Sequence, residues 1–565
     1  MNMELLRVAK LMTLSAAIAL AACGGGGGGG SSAGGGTTPP GGGGATPPGG
    51  GGTTPPGGGG TTPPSTDVSD GTPAASITRT SNGCSIAQAT GGFQDKGLTI
   101  EEVNWIQVVQ QNITDPKVRL VANKDLRLRV DVTASTAGKS IPSTATLRVA
   151  LNNGSCKDYT LTTSATTAPT IIDRSTLRFS YVAMIPAAEV NNNLKSIQFA
   201  IDSARESTPA AADRLYAELP ITIENEVAEE VVIIPIAFQS QTGNFAPDTQ
   251  MAALIRRTTP GENVTITPHT TITTASLTTA NAMLVNDGIY TFSYQRMLDA
   301  LNEVESICYD LNPGFITVAS TKKCAAAFPA NVRFTDKGTR IVGVAFVGGL
   351  SLLSTSFDAT DVVGVNGPYG AGWLDQYATT FIHEFSHVNT LNHANCGSPD
   401  TIDSDLYADG TLGEGGGYDV GRNFYFSGPA GGFYDVMAYC GSKVWTSDKG
   451  YQKMVAYKNA AAAAPPAASA RTSSAEQAPP RVQRGIRLVR INGTWRANRA
   501  MIPTTAVDSV HAKEGGYIHS ALKGLPVKTL NSDLGQNLNG PFFIPANDQL
   551  LQALANGLIP GITLK

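Results

Sequence analysis

The stretch from His383 to His393 constrains this chain more than any other, because it reads His-Glu-x-x-His followed by five residues and a third histidine. It holds three of the six histidines in 565 residues. On an α-helix, His383 and His387 lie one turn apart on one face, where both imidazoles can reach a single tetrahedral metal ion. The stretch therefore predicts a helix that ends soon after His387 and a turn that brings His393 back to the same ion.

These residue types predict a catalytic zinc site. Three histidine ligands leave a fourth coordination position open, whereas a structural zinc site is closed by a fourth protein ligand. Glu384 would project beside the ligands without binding the metal, placed to take a proton from a water molecule as general base. We predict Zn²⁺ bound by His383, His387 and His393, with Glu384 as a catalytic residue.

A second motif, Asp435-Val436-Met437-Ala438-Tyr439-Cys440, follows the histidines. With them it resembles the metzincin clan of zinc endopeptidases, in which a tight turn places a methionine beneath the three ligands. The resemblance implies that Met437 makes this Met-turn and that Tyr439 reaches the metal or the transition-state oxyanion. The flanking residues resemble the reprolysin-like domains of secreted bacterial proteases and lipoproteins, including mucin-degrading metalloproteases; the resemblance spans roughly residues 100–460, most strongly 340–450.

One position departs from the clan pattern. Seven residues after the first histidine the clan has glycine, where the helix ends and the backbone takes a positive φ, and this chain has Thr390. A β-branched residue at positive φ is strained. We therefore expect Asn389 or Asn392 to take the left-handed conformation instead, or the turn to differ.

The N-terminus predicts export and lipid anchoring. Residues 1–22 combine a basic region, an apolar run and small residues before Cys23, which resembles the lipobox of a bacterial lipoprotein signal peptide; the alternative is a plain secretory signal. Lipidated Cys23 would anchor the chain to a membrane of the bacterial cell envelope, with the outer membrane favoured. Residues 23–75 are glycine, threonine and proline with a period of eight, the composition of a disordered tether.

The remaining chain predicts a multidomain fold. Residues 76–228 carry short alternating strands without helical periodicity, which indicates a β-sandwich. Residues 229–458 form the predicted metzincin-like (zincin-like) α+β catalytic domain, with a strand from Arg340 to Phe346 and the zinc helix from about Asp375. An Ala/Pro-rich linker at 459–480 leads to a small β-rich C-terminal domain at 481–565, where Asn492-Gly493 predicts a hairpin turn.

Six cysteines remain besides Cys23, and an even number in an exported chain predicts disulfides with fifteen possible connectivities. Because they fall two to each presumptive structural block, sequential pairing is the simplest prediction. The resemblance adds that convergence of the histidines and Met437 on one zinc would carry the last two cysteines to disulfide distance. The predicted pairs are Cys84 with Cys156, Cys308 with Cys324, and Cys396 with Cys440.

A formal charge of −4 without a basic cluster argues against nucleic acid as a partner. We predict a surface-anchored zinc metalloendopeptidase that hydrolyses extended polypeptide or glycoprotein substrates outside the cell. A protease specific for mucin-type glycoproteins stays open. So does a non-catalytic adhesin or glycan-binding surface lipoprotein with a vestigial protease fold, although the intact Glu384 argues against a vestigial site.

Overall fold

A computed structural model describes residues 94–462 with short gaps, the longest at 203–213 and 364–373, and isolated strands and positions on either side. The predicted signal peptide, the tether and Cys23 lie outside the described residues. No helix within the described residues is long and apolar enough to cross a membrane.

An antiparallel sheet of ten strands forms the N-terminal part of the described chain. Its strand order is β11-β10-β7-β8-β9-β6-β3-β2, with β1 beside β8 and β4 beside β3, while β5 pairs in parallel with β12. The strands are β1 Ile77–Arg79, β2 Gln94–Asp95, β3 Leu98–Ile106, β4 Gln110–Asn112, β5 Leu120–Val121, β6 Leu126–Ala134, β7 Thr144–Leu151, β8 Cys156–Thr162, β9 Ser180–Ile185, β10 Leu194–Asp202, β11 Arg214–Pro220 and β12 Ile223–Glu224.

The middle of the chain builds a five-stranded sheet in the order β16-β13-β20-β24-β23, parallel except for β23 at one edge. A second sheet has the order β17-β18-β21-β22. The strands are β13 Ala228–Pro235, β14 Ala237–Phe238, β15 Gln241–Thr242, β16 Asn263–Pro268, β17 Leu284–Asn286, β18 Ile289–Ser293, β19 Ile316–Thr317, β20 Lys323–Phe328, β21 Val332–Asp336, β22 Thr339–Ile341, β23 Gly343–Ala345 and β24 Ser351–Thr355.

Helices cover both faces of the five-stranded sheet. They are α1 Asp248–Thr258, α2 Tyr294–Asp310, α3 Ala359–Val363, α4 Gln376–Val388 and α5 Asp448–Ala462. Alternate residues of a strand point to opposite faces, so β13 serves two cores. Val232 and Ile234 pack with α2, whereas Val231 and Ile233 pack with α1 and α4. This double burial explains the continuous apolar sequence of β13.

The last strands form small pairs and a C-terminal sheet. They are β25 Gly416–Asp419, β26 Phe424–Ser427, β27 Tyr434–Asp435, β28 Val444–Trp445, β29 Val482–Ile491, β30 Thr494–Pro503, β31 Lys528–Thr529, β32 Phe542–Pro545 and β33 Ile562–Leu564. β29 and β30 pair antiparallel from Ile491 and Thr494 outward, as the predicted hairpin requires. β19, from the middle of the chain, adds to this sheet beside β30.

The described chain is therefore a mostly β protein of several sheets with few helices, which confirms the β-rich part of the fold prediction. All three predicted disulfides are present, Cys84–Cys156, Cys308–Cys324 and Cys396–Cys440.

Two predicted segments differ from the structure. The single strand expected from Arg340 to Phe346 is two strands interrupted at Val342, because β22 pairs with β21 in one sheet and β23 with β24 in another. α5 continues past Asn459 to Ala462, into the segment predicted as a linker, and residues 463–480 lie outside the described part.

The N-terminal sheet contacts the β25–β26 pair through side chains that face away from its own core. In β6, Arg127 stacks on the ring of Tyr418 at 4.1 Å, and the Arg129 guanidinium donates to the Tyr425 hydroxyl at 2.9 Å. Both tyrosines belong to the β25–β26 pair. Every residue of β6 is consequently buried, although its alternating sequence is typical of a strand with one solvated face.

Candidate metal centre

Helix α4 carries His383, Glu384 and His387 and is buried along most of its length. Its apolar side chains, among them Phe381 and Phe385, pack against the five-stranded sheet. The helix therefore has a fixed position beneath the site, and the spacing of four residues places both histidine rings on the same side.

The three predicted ligands converge on one point. The Nε2 atom of His387 lies 3.1 Å from Nε2 of His383 and 3.1 Å from Nε2 of His393. All three rings are buried, and the nearest ligand atoms of the set lie within 4.8 Å of one another.

The backbone fixes the tautomers of two of these rings. The Nδ1 atom of His383 lies 2.7 Å from the Val436 carbonyl oxygen, and Nδ1 of His387 lies 2.7 Å from the Leu391 carbonyl oxygen. A carbonyl oxygen only accepts hydrogen bonds, so both Nδ1 atoms carry a proton, and Nε2 is the ring atom that each histidine can offer to a metal ion.

The donor set fits zinc. Two nitrogens that each bind a tetrahedral zinc at 2.0–2.1 Å lie about 3.3 Å apart, close to the distances observed here. Imidazole nitrogens suit zinc, and three of them with an open fourth position make a catalytic rather than a structural set. His383, His387 and His393 are thus the residues that would hold the ion.

The end of α4 forms a Schellman motif. The Thr390 amide donates to the His387 carbonyl oxygen at 2.8 Å, and the Leu391 amide donates to the Ser386 carbonyl oxygen at 3.1 Å. Thr390 has φ 79°, so the threonine itself takes the left-handed conformation. The expectation that Asn389 or Asn392 would do so is wrong. The two hydrogen bonds of the motif require the left-handed conformation at residue 390, whatever side chain that residue carries.

The predicted Met-turn is a tight turn that touches the ligands on two sides. The Ala438 amide donates to the Asp435 carbonyl oxygen at 2.9 Å, which leaves Val436 and fully buried Met437 at the centre. The Val436 carbonyl holds His383, and the Met437 carbonyl accepts the amide of Ala394, next to the third histidine, at 3.0 Å.

A buried carboxylate holds this turn in shape. Asp435 accepts hydrogen bonds from the backbone amides of Met437 at 2.8 Å and Ser447 at 3.3 Å. Burial raises the pKa of Asp435 to about 6, against the opposing effect of the hydrogen bonds from Ser447 and Met437.

Tyr439 reaches the site from the bend that follows the turn. Its hydroxyl lies 2.5 Å from Nε2 of His393, and its amide donates to the Cys396 carbonyl oxygen at 3.1 Å. The Cys396–Cys440 disulfide joins the same two segments. Tyr439 is thus held in place by the hydrogen bond of its own amide and by the disulfide of the next residue, Cys440.

Glu384 is fully buried and lies against the edge strand β23. A Cβ atom at Gly343 would be 2.7 Å from the Glu384 Oε1 atom and 2.6 Å from the Thr380 methyl carbon. Glycine at this position therefore makes room for the carboxylate beside the strand.

The structure brings the side chains of His383, His387, His393 and Tyr439 together. Glu384 lies on α4 beside His383, and Met437 meets the third histidine's segment through its backbone. Sequence reasoning missed Gly343 and Lys323, whose side-chain nitrogen contacts the end of α4. A glycine in an apolar strand and a lysine before an alanine run are weak signals, because both are common away from functional sites.

A comparison with protein-family models finds no match, and a comparison with curated proteins finds none either.

Proposed function

We propose that this protein is a zinc-dependent endopeptidase of the metzincin type. The observation that carries the proposal is the convergence of three histidine Nε2 atoms, two of them with the opposite ring nitrogen committed to a backbone carbonyl. A packed protein core has no need of three buried imidazoles that meet at one point, whereas a metal site does.

Each remaining residue of the centre has a role in peptide hydrolysis. Bound zinc would supply a Lewis acid that polarises the scissile carbonyl and lowers the pKa of a water molecule. Glu384 takes a proton from the attacking water and passes it to the leaving amine. The Tyr439 hydroxyl donates a hydrogen bond to the oxyanion that develops on the scissile carbonyl.

The substrate in this proposal is an extended polypeptide, in a protein or in a mucin-type glycoprotein. β23 is the antiparallel edge of the five-stranded sheet and lies next to Glu384. An edge strand can pair with an extended chain through backbone hydrogen bonds, which would bring a peptide bond to the carboxylate.

The proposal extends to the rest of the chain. The N-terminal antiparallel strands serve as a β-sandwich companion of the catalytic domain, and lipidated Cys23 with the glycine-rich tether holds the enzyme at the bacterial cell surface. The residues that carry the anchor are those of the sequence pattern at 1–23.

The decisive experiment compares Glu384→Gln with the wild type on casein and on a mucin in parallel. We expect both proteins to bind one equivalent of zinc, because Glu384 is not a ligand, and only the wild type to hydrolyse the substrates. Glu101→Gln, an exposed carboxylate of β3, is the matched control and should retain activity. A Glu384→Gln variant with full activity, or a wild type without zinc, would refute the proposal.

A further inference from the structure

Lys323 is a buried lysine at the end of α4 that plays no part in the proposed chemistry. It is the first residue of β20, its side chain is almost fully buried, and its Nζ atom donates to the Val388 carbonyl oxygen at 3.2 Å. Val388 is the last residue of α4, where carbonyl groups have no partner within the helix. Burial lowers the pKa of Lys323 well below its ordinary value, and the side-chain nitrogen has an N–H to donate in either protonation state.

The neighbouring charges have other partners. Lys458 pairs with Glu229 at 2.6 Å, and both side chains are buried. Glu305 accepts the Leu350 amide at 3.1 Å and the Ser351 hydroxyl. The contact with α4 thus distinguishes Lys323 from the other buried lysine of this cluster, which contacts a carboxylate.

Lys323 contacts the chain close to two features of the centre. One is the strained residue Thr390, and the other is the carbonyl group that orients the His387 ring. Val388 precedes Thr390, the threonine with φ 79° at a position that favours glycine. The next residue, Leu391, supplies the carbonyl oxygen that holds Nδ1 of His387. A shift of the helix end would therefore turn the His387 ring and displace the segment leading to His393.

We infer that Lys323 is a positioning residue of the metal centre: its side-chain nitrogen caps α4 and keeps the turn at Thr390 in the conformation that orients His387 and His393. The inference rests on the proposed function, since it assigns the three histidines to a metal. It predicts that removing the cap weakens zinc binding and that relieving the strain at residue 390 restores it.

The test uses the full chain with Lys323→Met, Thr390→Gly and the double variant. Lys458→Met is the matched control, because it removes the neighbouring buried ammonium but no contact with α4. Zinc affinity is measured by chelator competition, the absorption spectrum of the Co²⁺-loaded protein reports ligand geometry, and hydrogen exchange of the amides at 389–391 is followed without metal.

We expect Lys323→Met to weaken zinc binding about tenfold, as the loss of an outer-sphere partner does, to shift the Co²⁺ spectrum and to speed exchange at Thr390 and Leu391. Thr390→Gly in the same chain should restore most of the affinity and the protection. Lys458→Met should lower the melting temperature while zinc affinity and the Co²⁺ spectrum stay those of the wild type.

Unchanged exchange at 389–391 in Lys323→Met would overturn the inference even if the protein bound no zinc. So would a loss of zinc affinity that Thr390→Gly does not restore. A wild type that binds zinc but cleaves no peptide would refute the proposed function and leave the role of Lys323 standing, because hydrolysis is not among the readouts.

Discussion

At the scale of single residues, Thr390 is the position where local preference and tertiary structure disagree. A β-branched residue in the left-handed region is strained by about 1–2 kcal/mol. Hydrogen bonds of the Schellman motif and the Lys323 contact hold it there. The cost of this conformation can be measured directly by substitution.

We predict that Thr390→Gly raises the free energy of unfolding by about 0.5–1 kcal/mol, because glycine adopts φ 79° without steric conflict. Urea unfolding of the metal-free protein measures this gain. Thr278→Gly is the matched control, since Thr278 is exposed and has φ −126°. There glycine should lower stability by adding entropy to the unfolded chain. Equal effects of the two substitutions would contradict the strain argument.

The raised pKa of Asp448, in the first turn of α5, makes us expect that the stability of the protein falls as the pH rises. Burial raises the pKa of Asp448 to about 6, above the value of about 3.9 in an unfolded chain. The folded protein therefore binds the extra proton between these values. The contribution of Asp448 to stability is fully present below about pH 4 and is lost as the pH rises through 6.

We expect the stability of the wild type relative to Asp448→Asn to fall by about 1–2 kcal/mol between pH 4 and 7, a value reduced for partial exposure. Asparagine can keep the hydrogen bond from the Lys449 amide but not the one that Asp448 accepts from the Tyr407 hydroxyl, so the change with pH, and not the offset between the two proteins, reports the titration. Asp409→Asn should show the opposite slope, since the hydrogen bond from the Thr411 amide lowers the pKa of Asp409. Urea unfolding across the pH range decides the outcome, and parallel curves for both pairs would exclude this account.

The sequence pattern predicted that His383, His387 and His393 come together, because a metal ion would demand particular side chains at particular spacings. The conformation of Thr390 was not predictable in this way, since a φ angle is set by every contact of the turn together. The same holds for Gly343, whose importance depends on the approach of Glu384 from a helix 41 positions along the chain.

At the scale of secondary-structure elements, the Cys396–Cys440 disulfide joins the turn after the third histidine to the Met-turn. It closes 44 residues, and Cys84–Cys156 closes 72. Chain entropy predicts a contribution of about 4 kcal/mol from each bridge. The two bridges thus differ little in their expected effect on stability, but only the first lies in the segments that carry His393 and Tyr439.

We predict that replacing Cys396 and Cys440 by serine weakens zinc binding, because the segments carrying His393 and Tyr439 lose their covalent link. The matched control replaces Cys84 and Cys156, in the N-terminal part of the chain, by serine; it should destabilise the protein to a similar extent and leave the zinc affinity of the folded state unchanged. Chelator competition and urea unfolding on both variants measure the two quantities. Equal zinc affinities would show that hydrogen bonds alone hold the third ligand.

Strands and helices with one clear hydrophobic period were predictable from the sequence. A point at which the chain leaves one sheet and joins another was not. The alternating sequence of β6 and the spacing within α4 each indicate one element. The apolar run from Arg340 to Phe346 also reads as one strand, yet the chain leaves one sheet and enters another at Val342. The hydrophobic pattern of a segment indicates that it is buried, but it does not indicate which strand it pairs with.

At the scale of the whole molecule, the N-terminal sheet and the metal centre are parts of one structure. The Trp445 indole donates to the Val108 carbonyl oxygen at 3.1 Å, and the Tyr451 hydroxyl donates to Gln107 at 3.0 Å. Val108 and Trp445 share a buried apolar cluster with Phe426, from the segment between His393 and Met437. The loop that spans the third ligand and the Met-turn therefore packs against the N-terminal part.

We predict that residues 229–462 expressed alone will not fold cooperatively or bind zinc, because removal of the N-terminal sheet exposes this cluster and the partners of Arg127 and Arg129. A chain that begins at residue 76 is the control and should retain cooperative unfolding and zinc binding. Thermal unfolding followed by circular dichroism measures the cooperativity of the two chains, and metal analysis measures the zinc that they bind. A cooperative, zinc-binding 229–462 fragment would show that the two parts are independent.

The order of the disulfides has a consequence for biosynthesis. The six cysteines beyond Cys23 are bonded in consecutive pairs, the first to the second, the third to the fourth and the fifth to the sixth, which are Cys84–Cys156, Cys308–Cys324 and Cys396–Cys440. A polypeptide that emerges from a membrane N-terminus first presents these partners to an oxidant two at a time and in order. Joining the second thiol of each pair to the first as it emerges yields the native pattern directly, so, under the proposed export, maturation would need an oxidase but no isomerase.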